Sequence, residues 1–200
     1  SLRLLTESLT RPGILALCVA FVCYVGQWSS LMIWLPTFVM DERGMDSTAA
    51  SLLTALFVAV NIPGNLLGGV LMQRGMPRWA MVAGGSIAMG AMAFGVFASA
   101  LPDAWRLVSV LVFSFLGGVI PSAVFSGAPV HARSPQHIGT TNGMIMQASH
   151  LSQSVMPILI AWAASRMGGW GASLGTMLAL AAIGLLAGFA LRGFERGLRH

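Results

Sequence analysis

The stretch GTTNGMIMQASHLSQSVMP, Gly139–Pro157, lies inside an apolar run from about Ile138 to Ala164. That run is long enough to cross a bilayer, yet this part of it carries Asn142, Gln147, Ser149, His150, Ser152, Gln153 and Ser154. At about 100° per residue, Asn142, Ser149 and Gln153 fall on one line of a helix. Gly143, Gln147, His150 and Ser154 fall on a neighbouring line about a quarter-turn round. One broad side is therefore hydrogen-bonding, while Ile145, Leu151, Ile158 and Leu159 help keep the rest apolar. Hydrocarbon cannot satisfy such groups, so that side is expected to face other helices or a water-filled cavity. The pattern points towards a transport pathway.

Composition puts the helix in a membrane. Of the 200 residues, 56% are hydrophobic and 8% charged, where a soluble domain carries about 25% charged residues. All eleven basic residues are Arg. A pI near 11.0 raises the question of nucleic acid, but no basic cluster with interleaved aromatics is present, and no nucleic-acid partner is expected. The arginines read as juxtamembrane charges facing anionic headgroups. Cys18 and Cys23 share one apolar run and read as small packing residues. The chain opens on Ser1 within a polar segment and is expected to be a piece of a longer polypeptide.

After a cytoplasmic lead-in over residues 1–13, spans are expected at about 14–39, 48–72, 79–101, 107–130, 138–164 and 172–191, followed by a tail over residues 193–200. Each reaches the roughly 20 residues that a hydrocarbon core of about 30 Å requires. None shows the period-two alternation of a barrel strand. The expected fold is thus all-α and membranous, a bundle of six transmembrane helices with short connections. With the N-terminus inside, Arg3, Arg11, Arg74, Arg78, Arg133, Arg192, Arg196 and Arg199 lie inside, against Arg43, Arg106 and Arg166 outside. That asymmetry places both termini in the cytoplasm. Trp79, Trp105 and Trp170 fall at span ends, as an aromatic belt requires.

The spans divide by polarity. Span one carries Tyr24, Gln27, Ser29 and Ser30; span two Asn61 and Asn65; span four Ser114, Ser122 and Ser126. Span three offers Ser86 and Ser99, and span six Ser173 and Thr176. Pro36, Pro63, Pro121, Pro129 and Pro157 fall in spans one, two, four and five. Bent polar helices lining a pathway, backed by plain ones, give this division.

Each motif has a plainer reading beside the functional one. Asn61-Ile-Pro-Gly-Asn65 sets two carboxamides one turn apart beside a proline, either as a solute-facing patch or as glue between helices. His150, the one imidazole deep in a span, either carries a proton or charge or is a neutral ring satisfied by Gln147, Ser154 or a neighbouring helix. No second His or carboxylate stands at ligand spacing, so no metal site or cofactor is expected. Four GxxxG pairs, starting at Gly64, Gly139, Gly171 and Gly184, mostly mean packing. Gly171-Ala-Ser-Leu-Gly175 matches G-x-S-x-G and is similar to the serine motif of the rhomboid proteases. The only His after Ser173 is His200, expected at the other membrane face, so no enzyme is expected.

Gly69-Val-Leu-Met-Gln-Arg-Gly-Met-Pro-Arg78, between spans two and three, resembles the major facilitator superfamily signature G-x-L-x-D-R-x-G-R-R/K. Gly69, Leu71, Arg74 and Arg78 match it. Gln73 replaces the acid, Gly75 comes one place early and Pro77 replaces an Arg, which weakens any charged inner gate built on this loop. Arg133, Gly139, Gly143 and Pro157 are similar to the penultimate helix of the same superfamily, and in detail the chain looks closest to the cyanate- and nitroimidazole-transporter-like branch. The resemblance implies the C-terminal half of a twelve-helix secondary transporter in an inner membrane, working by alternating access with an absent N-terminal six-helix half. It also implies that helices one, two, four and five of the half line the cavity.

Candidate pathway residues are Tyr24, Gln27, Trp28, Asn61, Asn65, Gln147, His150 and Gln153, with Trp28 able to stack a planar solute. Gly69, Gln73, Arg74 and Arg78 form the candidate inner-loop gating motif. With no Asp or Glu in any span, the solute is expected to be small and neutral or anionic, and any coupling carboxylate belongs to the missing half. A self-contained six-span channel or transporter subunit pairing with itself remains the alternative, besides a purely structural role.

Overall fold

A computed structural model describes residues 2–98 and 101–197; Ser99, Arg199 and His200 lie outside these. Every α-helix and 3-10 turn below belongs to one all-helical bundle: α1 (Leu2–Leu9), α2 (Pro12–Arg43), α3 (Ser47–Gln73), α4 (Arg78–Phe97), α5 (Asp103–Gly117), α6 (Val119–His131), α7 (Pro135–Arg166), a turn at Trp170–Ala172, and α8 (Ser173–Gly197). Five stretches are long and apolar enough to cross a membrane, namely α2, α3, α4, α5 with α6, and α8 with its preceding turn. α7 has the length, at 32 residues, but its amides, serines and His150 make it more polar than the rest.

Local chemistry sets the boundaries. Pro12 opens α2, where its missing N–H costs nothing. Gly44 closes it in the left-handed region at φ 61°, donating its N–H to Met40 O. The Asp46 carboxylate caps α3 by accepting from the N–H groups of Thr48 and Ala49 at 2.9 and 3.0 Å. Gly75, at φ 85°, makes the tight turn into α4.

Three features depart from the expected spans. The lead-in contains a separate amphipathic helix, α1. Span three stops at Phe97 rather than near 101, where Ala98 turns extended at φ -67°, ψ 112°. Span four starts at Asp103 and is two helices, interrupted at Gly118. Pro121 sits in the first turn of α6 and has no N–H to offer the carbonyl of Gly117, which places the break.

α2 is the centre of the bundle, packing on α7, α8, α3 and α6, while α4 is held between α8 and α5. Leu17, Leu35, Phe57, Met89, Phe113, Ile120 and Ile145 are wholly buried between these helices. Two of the GxxxG pairs are helix contacts. Gly184 and Gly188 of α8 rest on Ser86 and on the backbone of Ala83 in α4. Gly64 and Gly68 of α3 meet the α5–α6 break, where a Cβ on Gly64 would lie 2.0 Å from Phe115 O. Around Gly139, Gly143, Gly171 and Gly175 an added Cβ would meet nothing within 4 Å.

Because the obstacle at Gly64 is backbone, α3 would have to move. Gly64→Ala is expected to destabilise the bundle by about 1–3 kcal/mol, read as a lower melting temperature in detergent. Gly69→Ala serves as the control, since a Cβ there meets nothing within 4 Å; equal melting of the two variants would refute the close contact.

Candidate functional site

The middle of the bundle holds a connected set of polar side chains. Tyr24 and Trp28 lie one turn apart on α2, Asn61 and Asn65 one turn apart on α3, and Ser114 near the end of α5. Asn61 Nδ2 donates to Ser114 O at 2.8 Å and to Tyr24 Oη at 3.2 Å. Asn65 Nδ2 donates to Asn61 Oδ1 at 2.8 Å and to Asn61 O at 3.0 Å. Ser122 Oγ donates to Asn65 O at 2.9 Å. Trp28 Nε1 donates to Ser114 Oγ at 2.9 Å, and that hydroxyl donates onward to Phe57 O at 2.6 Å. Three elements are thus tied together, α2, α3 and the broken α5–α6 helix.

Local sequence explains why the amides meet there. Pro63 lacks an N–H, which leaves the carbonyl of Ala59 without its usual helical donor and loosens α3 at this level. Gly118 lets the broken helix approach closely, since a Cβ there would stand 2.8 Å from Asn61 O. The aromatic side is already occupied in part. Phe57 stacks on the Trp28 indole with centroids 5.5 Å apart, and Phe113 stacks on Phe57 in turn. The expectation that Trp28 offers its ring to a planar solute is therefore corrected for one face, which Phe57 covers.

Gln27 does not join this set. It is 1% exposed, donates to Cys23 O at 3.1 Å within its own helix, and its Oε1 has no hydrogen-bond partner among the described residues.

The candidates on α7 form a second, separate group. α7 docks on the opposite side of α2 from the amides, with Ser152 Oγ donating to Val22 O at 2.8 Å and Gly26 against Ser152 and Met156. Gln147 and His150 are exposed and Gln153 is half-buried. Among the described residues none of the three makes a side-chain hydrogen bond, and neither Gln147 nor Ser154 offers its side chain to the His150 ring. Gln147 lines a wide apolar cavity of about 630 Å³ between α1, α2 and α7, together with Leu9, Leu15, Cys18 and Gly143. Asn61, Gln147 and His150 are thus not brought into one cluster within this chain.

The inner-loop motif divides likewise. Gln73 and Arg74 are exposed and Gly69 is half-buried. Arg78 turns inward, with Nε donating to Ser126 at 3.2 Å and Nη1 reaching Glu195 Oε1 at 3.3 Å. His131 Nε2 lies 3.6 Å from the same carboxylate oxygen. Sequence reasoning missed Glu195 and His131. The signal was available for the first: Gly184, Gly188, Leu191 and Glu195 repeat on the α8 face that packs on α4, and Arg78 opens α4. It also missed Ser114, one serine among three in its span, as the junction of the amide set. At the opposite end of the bundle Arg43 pairs with Asp103, and Trp170 Nε1 donates to Asp41 at 3.3 Å.

Ser173 is fully buried, with its hydroxyl 3.5 Å from Ile160 O, which is no position for a nucleophile. This arrangement finds its counterparts among transport proteins. The chain is 28% identical over 180 residues to a probable sulfoacetate transporter, SauU, of Cupriavidus necator, covering 84% of this chain and 41% of that protein. It is 24% identical over 165 residues to a probable galactarate/D-glucarate transporter, GudP, of Pseudomonas putida, covering 78% and 35%. Its fold superposes on a mutant of the peptide transporter POT crystallised with sulfate, with a TM-score of 0.79, 16% identity, and coverage of 91% and 38%. The chain spans about two fifths or less of each of these proteins. Neither curated relative is described as a cyanate or nitroimidazole carrier. The family model for the Major Facilitator Superfamily matches residues 16–198, and over that length the chain belongs to this superfamily of transporters rather than to any family of enzymes.

Proposed function

We propose that this chain supplies the C-terminal half of the solute pathway of a secondary transporter for a small organic anion. The observation that carries the reading is the exposed polar row Gln147–His150–Ser154 on α7, in which the Gln147 and His150 side chains make no hydrogen bond among the described residues and Ser154 Oγ bonds only within its own helix, to His150 O. A row of this kind is costly against lipid, and a second half-bundle or a water-filled cavity relieves that cost. The coverage of 41% and 35% of the two curated relatives supports a missing half. Alternating access then rocks the two halves about a site near the membrane midplane.

The relatives' names supply the solute class, a sulfonated or hydroxylated carboxylic acid. Among the described residues His150 is the only imidazole away from the helix ends and no Lys or Arg lies at mid-height, so this half offers hydrogen-bond donors rather than fixed positive charge. His150 is the residue of this half able to meet an anion's charge when protonated. The absent half would supply the rest, along with any coupling carboxylate. Both termini are assigned to the cytoplasm of an inner membrane, on the arginine excess at the end where Arg78 pairs with Glu195.

Uptake of a radiolabelled hydroxy-dicarboxylate by the full-length carrier in proteoliposomes tests the pathway. Gln147→Leu and His150→Leu remove groups with no side-chain hydrogen bond among the described residues, so melting temperature is expected to hold while uptake falls by at least about tenfold, or 1.4 kcal/mol. Undiminished uptake by His150→Leu would remove α7 from the pathway. Asn61→Leu strands the Tyr24 hydroxyl and removes the bonds to Ser114 O and Asn65, at a cost of about 1–3 kcal/mol, and its melting temperature is expected to fall. Orientation is tested by single cysteines at Gly75 and Asp41 in a background with Cys18 and Cys23 replaced by Ala. An impermeant maleimide added outside intact cells is expected to label the second and not the first; the reverse pattern would invert the topology.

A further inference from the structure

We propose that the ends of α2, α6 and α8 form a binding site for the phosphodiester headgroup of an anionic glycerophospholipid. The proposal rests on the membrane-spanning reading above and is independent of the transported solute. A cavity of about 300 Å³ opens there, lined by Arg11, Gly13, Val130, His131, Gly193 and Phe194 among others. That volume lies at the lower bound of ligand pockets, roughly 300–1,000 Å³.

Its chemistry is one-sided. Arg11 has no ion pair and no side-chain hydrogen bond among the described residues. It stands at the N-cap of the 32-residue α2 with no side-chain cap in place. Pro12 has no N–H, and the next one, of Gly13, has no acceptor among the described residues, so the positive end of the helix dipole faces the cavity. His131, only 5% exposed, forms another wall, with its Nε2 buried and turned to Glu195 rather than open to the cavity. The ring sits against Gly13, where a Cβ would lie 2.1 Å from its Nδ1. Of the acids at this end among the described residues, Glu195 stands 3.6 Å from His131 Nε2 and is engaged by Arg78, and Glu7 is engaged by Arg133 and His137. Arg196 is exposed in the last turn of α8 and adds to the positive balance.

Shape adds the lipid. The α8 wall is bare backbone, since a Cβ on Gly193 meets nothing within 4 Å. The lip carries exposed Val130 and Phe194, suited to glycerol and the first methylenes. A phosphate diester entering here meets a guanidinium and an uncapped helix N-terminus while its tail leaves along an apolar edge.

The test uses the full-length carrier, stripped of lipid in detergent, titrated with phosphatidylglycerol, phosphatidylcholine and inorganic phosphate, and read by retained lipid in native mass spectrometry and by melting temperature. Phosphatidylglycerol is expected to be retained and to raise the melting temperature. Arg11→Gln and the cavity-filling Gly193→Leu are each expected to weaken its binding at least fivefold, while Arg74→Gln, an exposed arginine of the same end outside the cavity, binds as the parent does. Equal loss in Arg74→Gln would reduce the site to diffuse charge and overturn the proposal, as would parental binding by both cavity variants. Equal retention of phosphatidylcholine, or an equal shift by inorganic phosphate, would overturn the anionic-lipid assignment. Uptake, measured separately, reports on the transport reading alone.

Discussion

A carboxamide placed mid-height in a bilayer has to find its partners inside the protein, and Asn61 is where this fold meets that requirement. Its amide nitrogen reaches across to α5 and α2, and its oxygen accepts from Asn65. A hydrogen bond between membrane helices contributes only about 0.6 kcal/mol on average, so the bonds taken singly do not hold α3 in place. The penalty for breaking them is larger, because a buried amide without partners costs about 1–3 kcal/mol or more. α3 needs that asymmetry. Leu52, Ile62 and Leu66 are all more than 60% exposed, and its buried contacts are mainly Ala50, Phe57 and the two glycines that meet the α5–α6 break.

The same requirement explains why one helix of the half is interrupted. An unbroken helix would carry side chains or a regular backbone past Gly64, leaving no room for the approach that brings Asn61 onto Ser114 O. Gly117, Gly118 and Pro121 together supply that break, and α3 packs directly against it, so the irregular backbone lies against protein, the condition under which it survives at membrane depth. Helix packing and polar satisfaction are therefore one feature here.

Much of this was legible in the residues. The two asparagines one turn apart beside Pro63 pointed to polar contacts between helices, and the long apolar runs pointed to membrane helices. Legibility ended where a function depends on which helix lies opposite. Ser114 is indistinguishable in sequence from Ser122 or Ser126, yet it alone receives the Trp28 indole. Glu195 looks like a tail residue until α8 is laid on α4 along Gly184 and Gly188, which carries it to Arg78. The expected grouping of Asn61 with Gln147 and His150 assumed one shared lumen. Periodicity gives each helix its polar face, but it does not say that α2 stands between two of them.

That separation has a mechanical consequence. The amide set on one side of α2 is satisfied within the chain, whereas the Gln147 and His150 side chains on α7 make no hydrogen bond among the described residues. Groups already satisfied resist rearrangement, since each change strands a buried donor or acceptor. Groups awaiting partners can exchange water, solute or a facing helix at little internal cost. On the proposed alternating-access reading, in which this bundle rocks as a unit, the first set suits the rigid part and the second suits the moving boundary. On that reading the polar residues of α7 sit where contacts form and break, and those of α3 where they do not.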